Sequence, residues 1–550
     1  MLDLTGKAAA AFLVLVSLVL FLPGLFALPP VDRDESRYAQ ASKQMVESGN
    51  YVDIRFQEEP RHKKPIGIYW LQSAAANLFD DAEAPRVWAY RIPSLIGGII
   101  AVLLTWAAGS RLFNPRAGLM AGLMMAGCLM LGYEARQAKT DAVLLATILG
   151  AQTGLAFAWM NWKDGKQTSA WLAYGFWVAV GLAALVKGPI VLIVSGGTVL
   201  LLCFRQKSRG WLKTLRPATG FPLALAIIVP WFIAIALESQ GAFFKESVGH
   251  DLFKKIYSGQ ESHGAPPGYY FLTFWASFWP FALLAGLAAR PVWRQRKNPA
   301  VAFCIAWILP TWILFELIVT KLPHYMLPLF PAAAILAAGM ITDAEKWNAG
   351  KRGVFEWIAI ALTAIVTIAI AGVVIAGATA TGDEFSLWSI VALAGVLWAG
   401  LSLFRIARDR ALAATLIPQL VLAAVIVTGA GFKGFLPSLQ SIWLSPRVAE
   451  VVQTYQAETC KDAKLHAVGY REPSLIFLAG TDTVLTNPAD AAKALKAGPD
   501  CAVAMIGDRD IEAFSKTAGE IGLTPRQLAE LPGFNYSRGQ KITLRVFAGR

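Results

Sequence analysis

The sequence predicts a polytopic α-helical membrane protein of about thirteen transmembrane helices, ending in a water-facing α/β domain. Three observations predict it. The 550 residues are 56% hydrophobic and only 16% charged, whereas soluble domains carry about 25% charged residues. The apolar residues gather in uncharged runs of about 20 positions, the length of helix that crosses a hydrocarbon layer of about 30 Å. From about residue 432 the character changes: charges become frequent, and short apolar runs alternate with amphipathic ones.

The predicted spans lie near 8–28, 86–108, 114–133, 141–161, 169–186, 189–204, 219–237, 269–289, 300–319, 324–342, 354–377, 385–404 and 411–431. Residues Ala8–Leu28 are too long for a signal-peptide core and lead into Pro29-Pro30, so they read as a retained span. The pair 169–186 and 189–204, divided only by Lys187-Gly188-Pro189, is the least clearly separated. Alternate loops are basic, among them Arg111 with Arg116, Lys163 with Lys166, Arg205 to Arg216 and Arg290 to Lys297. Those loops would face the cytoplasm, with the N-terminus inside and residues 432–550 outside. The net charge of +13 is thus largely a topology signal. No nucleic-acid-binding motif accompanies it, so no nucleic-acid partner is expected.

The chain divides at about 431. In 432–550, His466–Gly469, Cys501–Ile506 and Ile542–Phe547 read as strands, and Ala491–Lys496 and Asp510–Thr517 as helices. Cys460 and Cys501 are the only cysteines there. An oxidising compartment would let them pair; otherwise they are two buried thiols. Cys128, Cys203 and Cys304 sit in or beside apolar spans, as inert packing residues do.

Two outer loops are long, 31–85 and 238–268. The first breaks the charge pattern by carrying Arg33, Arg37, Arg55, Arg61, Lys63 and Lys64 on the outside. Residues Glu35–Glu47 have helical spacing, with Tyr38, Ala41 and Met45 on one side, which predicts a helix lying along the membrane surface. Ile66–Ala75 is apolar but too short to span. A carboxylate atop the first span beside clustered cations can serve a phosphate-dependent reaction: the cations hold phosphate, and the carboxylate acts as a base or stabilises positive charge. The plainer reading is interfacial anchoring to anionic headgroups. Lys139 and Asp141 start the fourth span, where Asp141 also suits a helix cap. His324 and Tyr325 start another, just after Lys321. Four of the five histidines, His62, His250, His263 and His324, fall on the outer side. With Glu58 or Glu59 they are candidate zinc ligands, although the spacing matches no standard zinc pattern. The alternative is polar loop residues bonding one another.

The string Asp34-Glu35-Ser36-Arg37-Tyr38-Ala39, with Met45, Ser48-Gly49, Lys64-Pro65 and Tyr69-Trp70, resembles the first-loop signature of lipid-linked glycosyltransferases of the GT-C fold. More narrowly, it is similar to the bacterial 4-amino-4-deoxy-L-arabinose transferases that modify lipid A, relatives of the protein O-mannosyltransferases. Lys139-Thr140-Asp141, Lys187-Gly188-Pro189 and Leu322-Pro323-His324-Tyr325 resemble later stretches of the same family. The resemblance implies an inner-membrane enzyme that takes aminoarabinose from undecaprenyl phosphate and places it on lipid A phosphate at the periplasmic face, giving polymyxin resistance. It implies Asp34 as the catalytic carboxylate and Lys64, Lys254 and Arg37 as donor-phosphate ligands. Tyr38, Lys139, Asp141, His324 and Tyr325 would line the cavity. Relatives often carry Arg where Lys254 stands, and Lys lacks the bidentate fork. No cofactor is implied for catalysis; a structural zinc at Glu59, His62, His250 and His263 is the one metal candidate.

Three other readings compete. A related enzyme would move a different sugar from a polyprenyl phosphate to a protein or glycan. A lipid transporter would show internal repeats and charges near the midplane, yet no repeat is evident, and Glu316, an acidic residue inside a span, lies close to that span's end. A receptor or scaffold leaves the charged first loop unexplained.

Overall fold

The computed structural model describes residues 4–80, 85–252, 264–348, 352–381 and 383–549. Each of the thirteen apolar segments is helical, though not each is one continuous helix. Among the described residues nine helices are long and apolar enough to cross a membrane. Gly6–Phe21 and Ile190–Gln206 are shorter. Two further segments are broken: Pro115–Ala126 is followed by Leu129–Glu134, and Tyr269–Ser277 by Ala282–Arg294. The two breaks lie against each other. Leu129 donates its backbone N–H to the Trp279 carbonyl at 3.0 Å, and the Cys128 thiol donates to the Ser277 carbonyl at 3.3 Å. Irregular backbone at membrane depth is tolerated where neighbouring protein satisfies it. Gly127 permits the approach, since a Cβ there would lie 2.8 Å from the Phe281 ring.

Two buried arginines hold the chain beyond the first helix. Arg91 spends all five of its N–H donors: Nε and Nη2 go to the two oxygens of Glu35 at 2.8 and 2.9 Å, and the rest to the carbonyls of Leu25, Leu28 and Pro29. Glu35 also accepts from the backbone N–H groups of Val31 and Ala138. Burying such a pair is tolerable only when nearly every donor and acceptor is used, as here. Arg136 does the same for the carbonyls of Leu20, Pro23 and Gly132 and lies over the Phe432 ring.

The first outer loop contains a helix, Asp34–Ser48, ended by Gly49 in the left-handed region. It also contains a hairpin of β1 (Arg55–Phe56) with β2 (Glu59–Pro60), and a helix, Gly67–Phe79. The helix expected over Glu35–Glu47 is present, and protein covers it more fully than its polar residues foretold. Both sides of Asp34–Ser48 are covered. Ser42 bonds Gln72 on one side; on the other, Gln40 bonds Thr481 and Lys43 reaches the Phe477 carbonyl. Its polar face is polar because it meets a second protein surface, not water.

That surface belongs to residues 444–548. Helix Leu444–Glu458 leads into β3 (Lys464–Val468), β4 (Val484–Leu485), β5 (Ala502–Gly507), β6 (Arg526–Asn535) and β7 (Gln540–Ala548). The sheet order is β4-β3-β5-β7-β6. β3 is parallel to β4 and β5, whereas β7 is antiparallel to β5 and β6. Helix Pro473–Ala479 packs one face, and Pro488–Ala497 and Ile511–Glu520 the other. Cys460 and Cys501 form a disulfide across 41 residues. A loop of that length is worth about 3–4 kcal/mol in the chain-entropy description. Replacing both cysteines by Ser should therefore lower the stability of 444–548 by about that amount, read as earlier proteolysis of this region in a denaturant series.

Candidate active site

Asp34 is the first residue of its helix, and Arg33 before it has φ +68° and ψ −104°. Such a conformation costs a non-glycine residue about 1–3 kcal/mol and persists only where neighbours impose it. The neighbours are identifiable. Glu35 is fixed by Arg91, the Asp32 N–H donates to the Tyr536 hydroxyl at 2.7 Å, and the Arg33 guanidinium donates to the Ser537 carbonyl at 2.6 Å. The turn faces a cavity of about 290 Å³ lined by Asp34, Glu134, Lys139 and His324 among others. Asp34 is exposed to this cavity, and its carboxylate accepts no hydrogen bond among the described residues. Burial pushes its carboxyl up, but Lys139, Arg61 and His324 outweigh burial and hold it below the ordinary carboxylate range. Asp34 is thus a free anion at neutral pH, equipped to accept a proton or stabilise positive charge but not to act as an acid.

A second cavity of about 270 Å³ lies on the other side of His324, which lines both. Its walls are apolar, with Leu144, Ile190, Ile193, Phe315, Ile318 and Leu327. Its polar end gathers Lys64, Asp141, Lys187 and Tyr325. Gly67 makes this convergence possible: a Cβ there would lie 2.8 Å from the Leu185 carbonyl oxygen, so only glycine brings the Lys64 segment this close to the helix that ends in Lys187. Lys187 contacts Asp141 at 2.6 Å, and Lys139 contacts Glu134 at 2.9 Å and Asp141 at 3.9 Å. His324 stands between the carboxylates, 3.9 Å from Glu134 and 3.8 Å from Asp141, beyond good hydrogen-bond length. Asp141 makes no capping bond to its own helix; its partner is Lys187. Burial pulls the Lys139 ammonium down, while Glu134 and Asp141 more than restore it.

Asp34, Lys64, Lys139, Asp141, His324 and Tyr325 therefore meet around one junction. Arg37 lines neither cavity. Arg61 is the first-loop arginine that turns inward, over the Tyr38 ring at 5.1 Å and beside Tyr69. Tyr38 is buried against Tyr69 and lines neither cavity, so it supports Arg61 from behind. Lys254 and His263 lie outside the described residues, and nothing is described of the His250 side chain. Among the described residues no three His, Cys, Asp or Glu converge as a metal site. His62 is held by Asp53 at 2.7 Å and packs on Phe243, while Glu59 is exposed on its hairpin. Glu316, the acidic residue inside a span, accepts from the backbone of Gly268 and Tyr270 and caps a helix.

Sequence reasoning missed Glu134 and Arg61 as site residues and used Lys187 only as part of a motif. The signal for Glu134 was an acidic residue at the outer end of a span, five positions before Lys139. Asp32 was also missed. Its carboxyl accepts from the Ser474 N–H and is pushed up to about 7, chiefly by burial and further by Glu472, against the pull of Ser474 and Tyr536. A carboxyl whose folded value is raised favours the folded state at low pH, and that contribution is lost as pH rises through the folded value. The contact between residues 31–34 and 472–537 should loosen as pH climbs through about 7. Hydrogen exchange at Tyr536 and Ser537 should speed up over that range, and Asp32→Asn should abolish the pH dependence.

The chain superposes on ArnT from Cupriavidus metallidurans bound to undecaprenyl phosphate, over 98% of each chain, with a TM-score of 0.72 at 18% identity. It also superposes on an oligosaccharyltransferase from Archaeoglobus fulgidus tethered with an acceptor peptide. That match covers 98% of this chain and 74% of that one, with a TM-score of 0.52 at 11% identity. The fold is GT-C. Within this GT-C chain, residues 63–233 match the family model described as dolichyl-phosphate-mannose-protein mannosyltransferase. The chain is similar to an undecaprenyl phosphate-alpha-4-amino-4-deoxy-L-arabinose arabinosyl transferase of Pseudomonas fluorescens, 27% identical over 61% of this chain and 60% of that one. An enzyme of the same description from Erwinia tasmaniensis is 26% identical over 74% of this chain and 75% of its own. The match thus spans less than two thirds of the Pseudomonas relative's length. The polytopic helical GT-C architecture accords with both solved structures.

Proposed function

We propose that this GT-C protein transfers 4-amino-4-deoxy-L-arabinose from undecaprenyl phosphate to a phosphate of lipid A, at the periplasmic face of a bacterial inner membrane. The observation that carries the reading is the meeting of two unlike cavities at His324. The apolar one, with Lys64 and Lys187 at its end, suits a prenyl chain whose phosphate sits on the lysines. The polar one presents the Asp34 carboxylate to an acceptor. In the transfer, an acceptor phosphate oxygen bonds to the anomeric carbon while that carbon's bond to the prenyl phosphate oxygen breaks. The lysines neutralise the charge left on undecaprenyl phosphate, and Asp34 stabilises the positive character of the reacting carbon. The acceptor phosphate is already an anion, so position and charge matter more than proton removal. Glu134 and Asp141 beside the junction suit a sugar bearing an ammonium group. The basic loops at the opposite ends of the spans support a periplasmic site.

The test is expression in a transferase-null Gram-negative host, followed by lipid A mass spectrometry and polymyxin survival. An aminoarabinose mass increment with restored survival supports the reading. A well-expressed protein that gives no increment turns attention to the mannosyltransferase-like alternative, assayed with polyprenyl-phosphate mannose. Lys64→Ala should lower kcat/KM for the donor by about 10- to 100-fold while the acceptor KM stays within about twofold, because on this reading the lost charge serves the leaving phosphate and not the acceptor.

A further inference from the structure

We propose that residues 444–548 contain a second, separate binding site: a crevice for a phosphate-bearing sugar, at the carboxyl ends of β3 and β5. The argument begins with topology. β3 runs into helix Pro473–Ala479 on one face of the sheet, and β5 runs into helix Ile511–Glu520 on the other. The chain leaves β3 toward β4, then crosses back over β3 to β5. Adjacent parallel strands whose following helices take opposite faces leave a gap between their loops, and such gaps are where open α/β sheets bind ligands.

Here the gap is open because β5 ends in Gly507 and Gly469 follows β3 directly. Gly469 has φ +82°, and a Cβ on it would lie 3.3 Å from the Gly507 Cα. The crevice they border measures about 40 Å³, room for one charged group with the remaining ligand lying over the mouth. Arg509, Arg538 and Lys541 surround it, and no ion pair engages any of the three among the described residues. Asp508 and Asp510 line it as well. Three cations against two carboxylates at a helix N-terminus suit a mixed ligand, with phosphate on the cations and sugar hydroxyls donating to the carboxylates. A bare anion would not need the acids.

The position suggests which ligand. Arg538 follows Tyr536 and Ser537 in the turn between β6 and β7, and those two residues bond Asp32 and Arg33 beside Asp34. The crevice therefore opens on the turn that braces the polar cavity. Resting on the proposed transfer to lipid A, the ligand is the part of the phosphorylated acceptor disaccharide that does not react.

The test uses the full-length protein in neutral-lipid nanodiscs and three soluble probes: a bisphosphorylated glucosamine disaccharide, the same disaccharide without phosphates, and inorganic phosphate. Calorimetry should show the first probe binding at least about tenfold more tightly than either of the others. The exposed-residue double variant R509Q/K541Q should lose about tenfold in that affinity. Gly507→Val, at a position of ordinary φ, should do the same by filling the crevice. Unchanged affinity in both variants overturns the proposal. Equal binding of the dephosphorylated probe also overturns it, as does equally tight binding of inorganic phosphate. Transfer kinetics separate the two ideas. Transfer to lipid A with an unaltered acceptor KM in R509Q/K541Q removes the crevice and leaves the transferase. Phosphate-dependent disaccharide binding that the variants lose, without any transfer, removes the transferase reading and leaves the crevice.

Discussion

Asp34→Asn should lower kcat at least about 100-fold while leaving abundance and donor binding nearly unchanged. The reason is that Asp34 has no structural work to lose. Its carboxylate accepts no hydrogen bond among the described residues and faces an open cavity. Asn keeps the shape and removes the charge that Lys139, Arg61 and His324 surround. Because Lys139 and Arg61 hold the carboxyl below its ordinary range, Asp34 stays ionised throughout pH 5–8, and an acid limb in that window cannot be its titration. Initial rates with purified donor and lipid A across that range decide the matter. A variant that keeps more than about a tenth of the rate would take the central role from Asp34.

Arg91→Met should have the largest effect on stability. It strands the Glu35 carboxylate, wholly buried, together with the carbonyls of Leu25, Leu28 and Pro29. Breaking a buried pair from one side costs about 3–5 kcal/mol. Changing Glu35 to Gln as well should recover much of that, since the residual charge is the main penalty. Thermal unfolding followed by fluorescence-detected size exclusion would rank the two variants. A single variant as stable as the double would mean that the pair is replaceable by packing alone.

The helical spans were legible because a long uncharged run is a local property that needs no knowledge of neighbours. The same holds for Lys139, Asp141 and His324, whose charges stand out at the ends of such runs. What the sequence hid was set by docking. Arg37 and Arg61 share one loop and one chemistry, and only the packing of that loop decides that Arg61 turns toward Asp34. The polar side of Asp34–Ser48 did not announce the protein surface it meets, because partner protein and solvent demand similar side chains. β6 was illegible for another reason. It contains Pro532 and Gly533, which argue against a central strand, but it lies at the sheet edge, where they are tolerated. The broken spans looked continuous because Cys128 and Trp279 are as apolar as the helices they interrupt.

His324 lies on the wall between the two cavities. On the proposed reaction, the lysine-bound phosphate and the incoming acceptor approach the sugar from opposite sides of that wall. A single displacement along such a line exchanges the face of the anomeric carbon that carries the substituent, so the product linkage has the configuration opposite to that of the donor. Retention would demand that an enzyme carboxylate first displace the phosphate from the acceptor side and that the acceptor then enter from the prenyl side, beyond the wall that His324 forms. On that proposed reaction, the partition between the two cavities would set the handedness of the new bond.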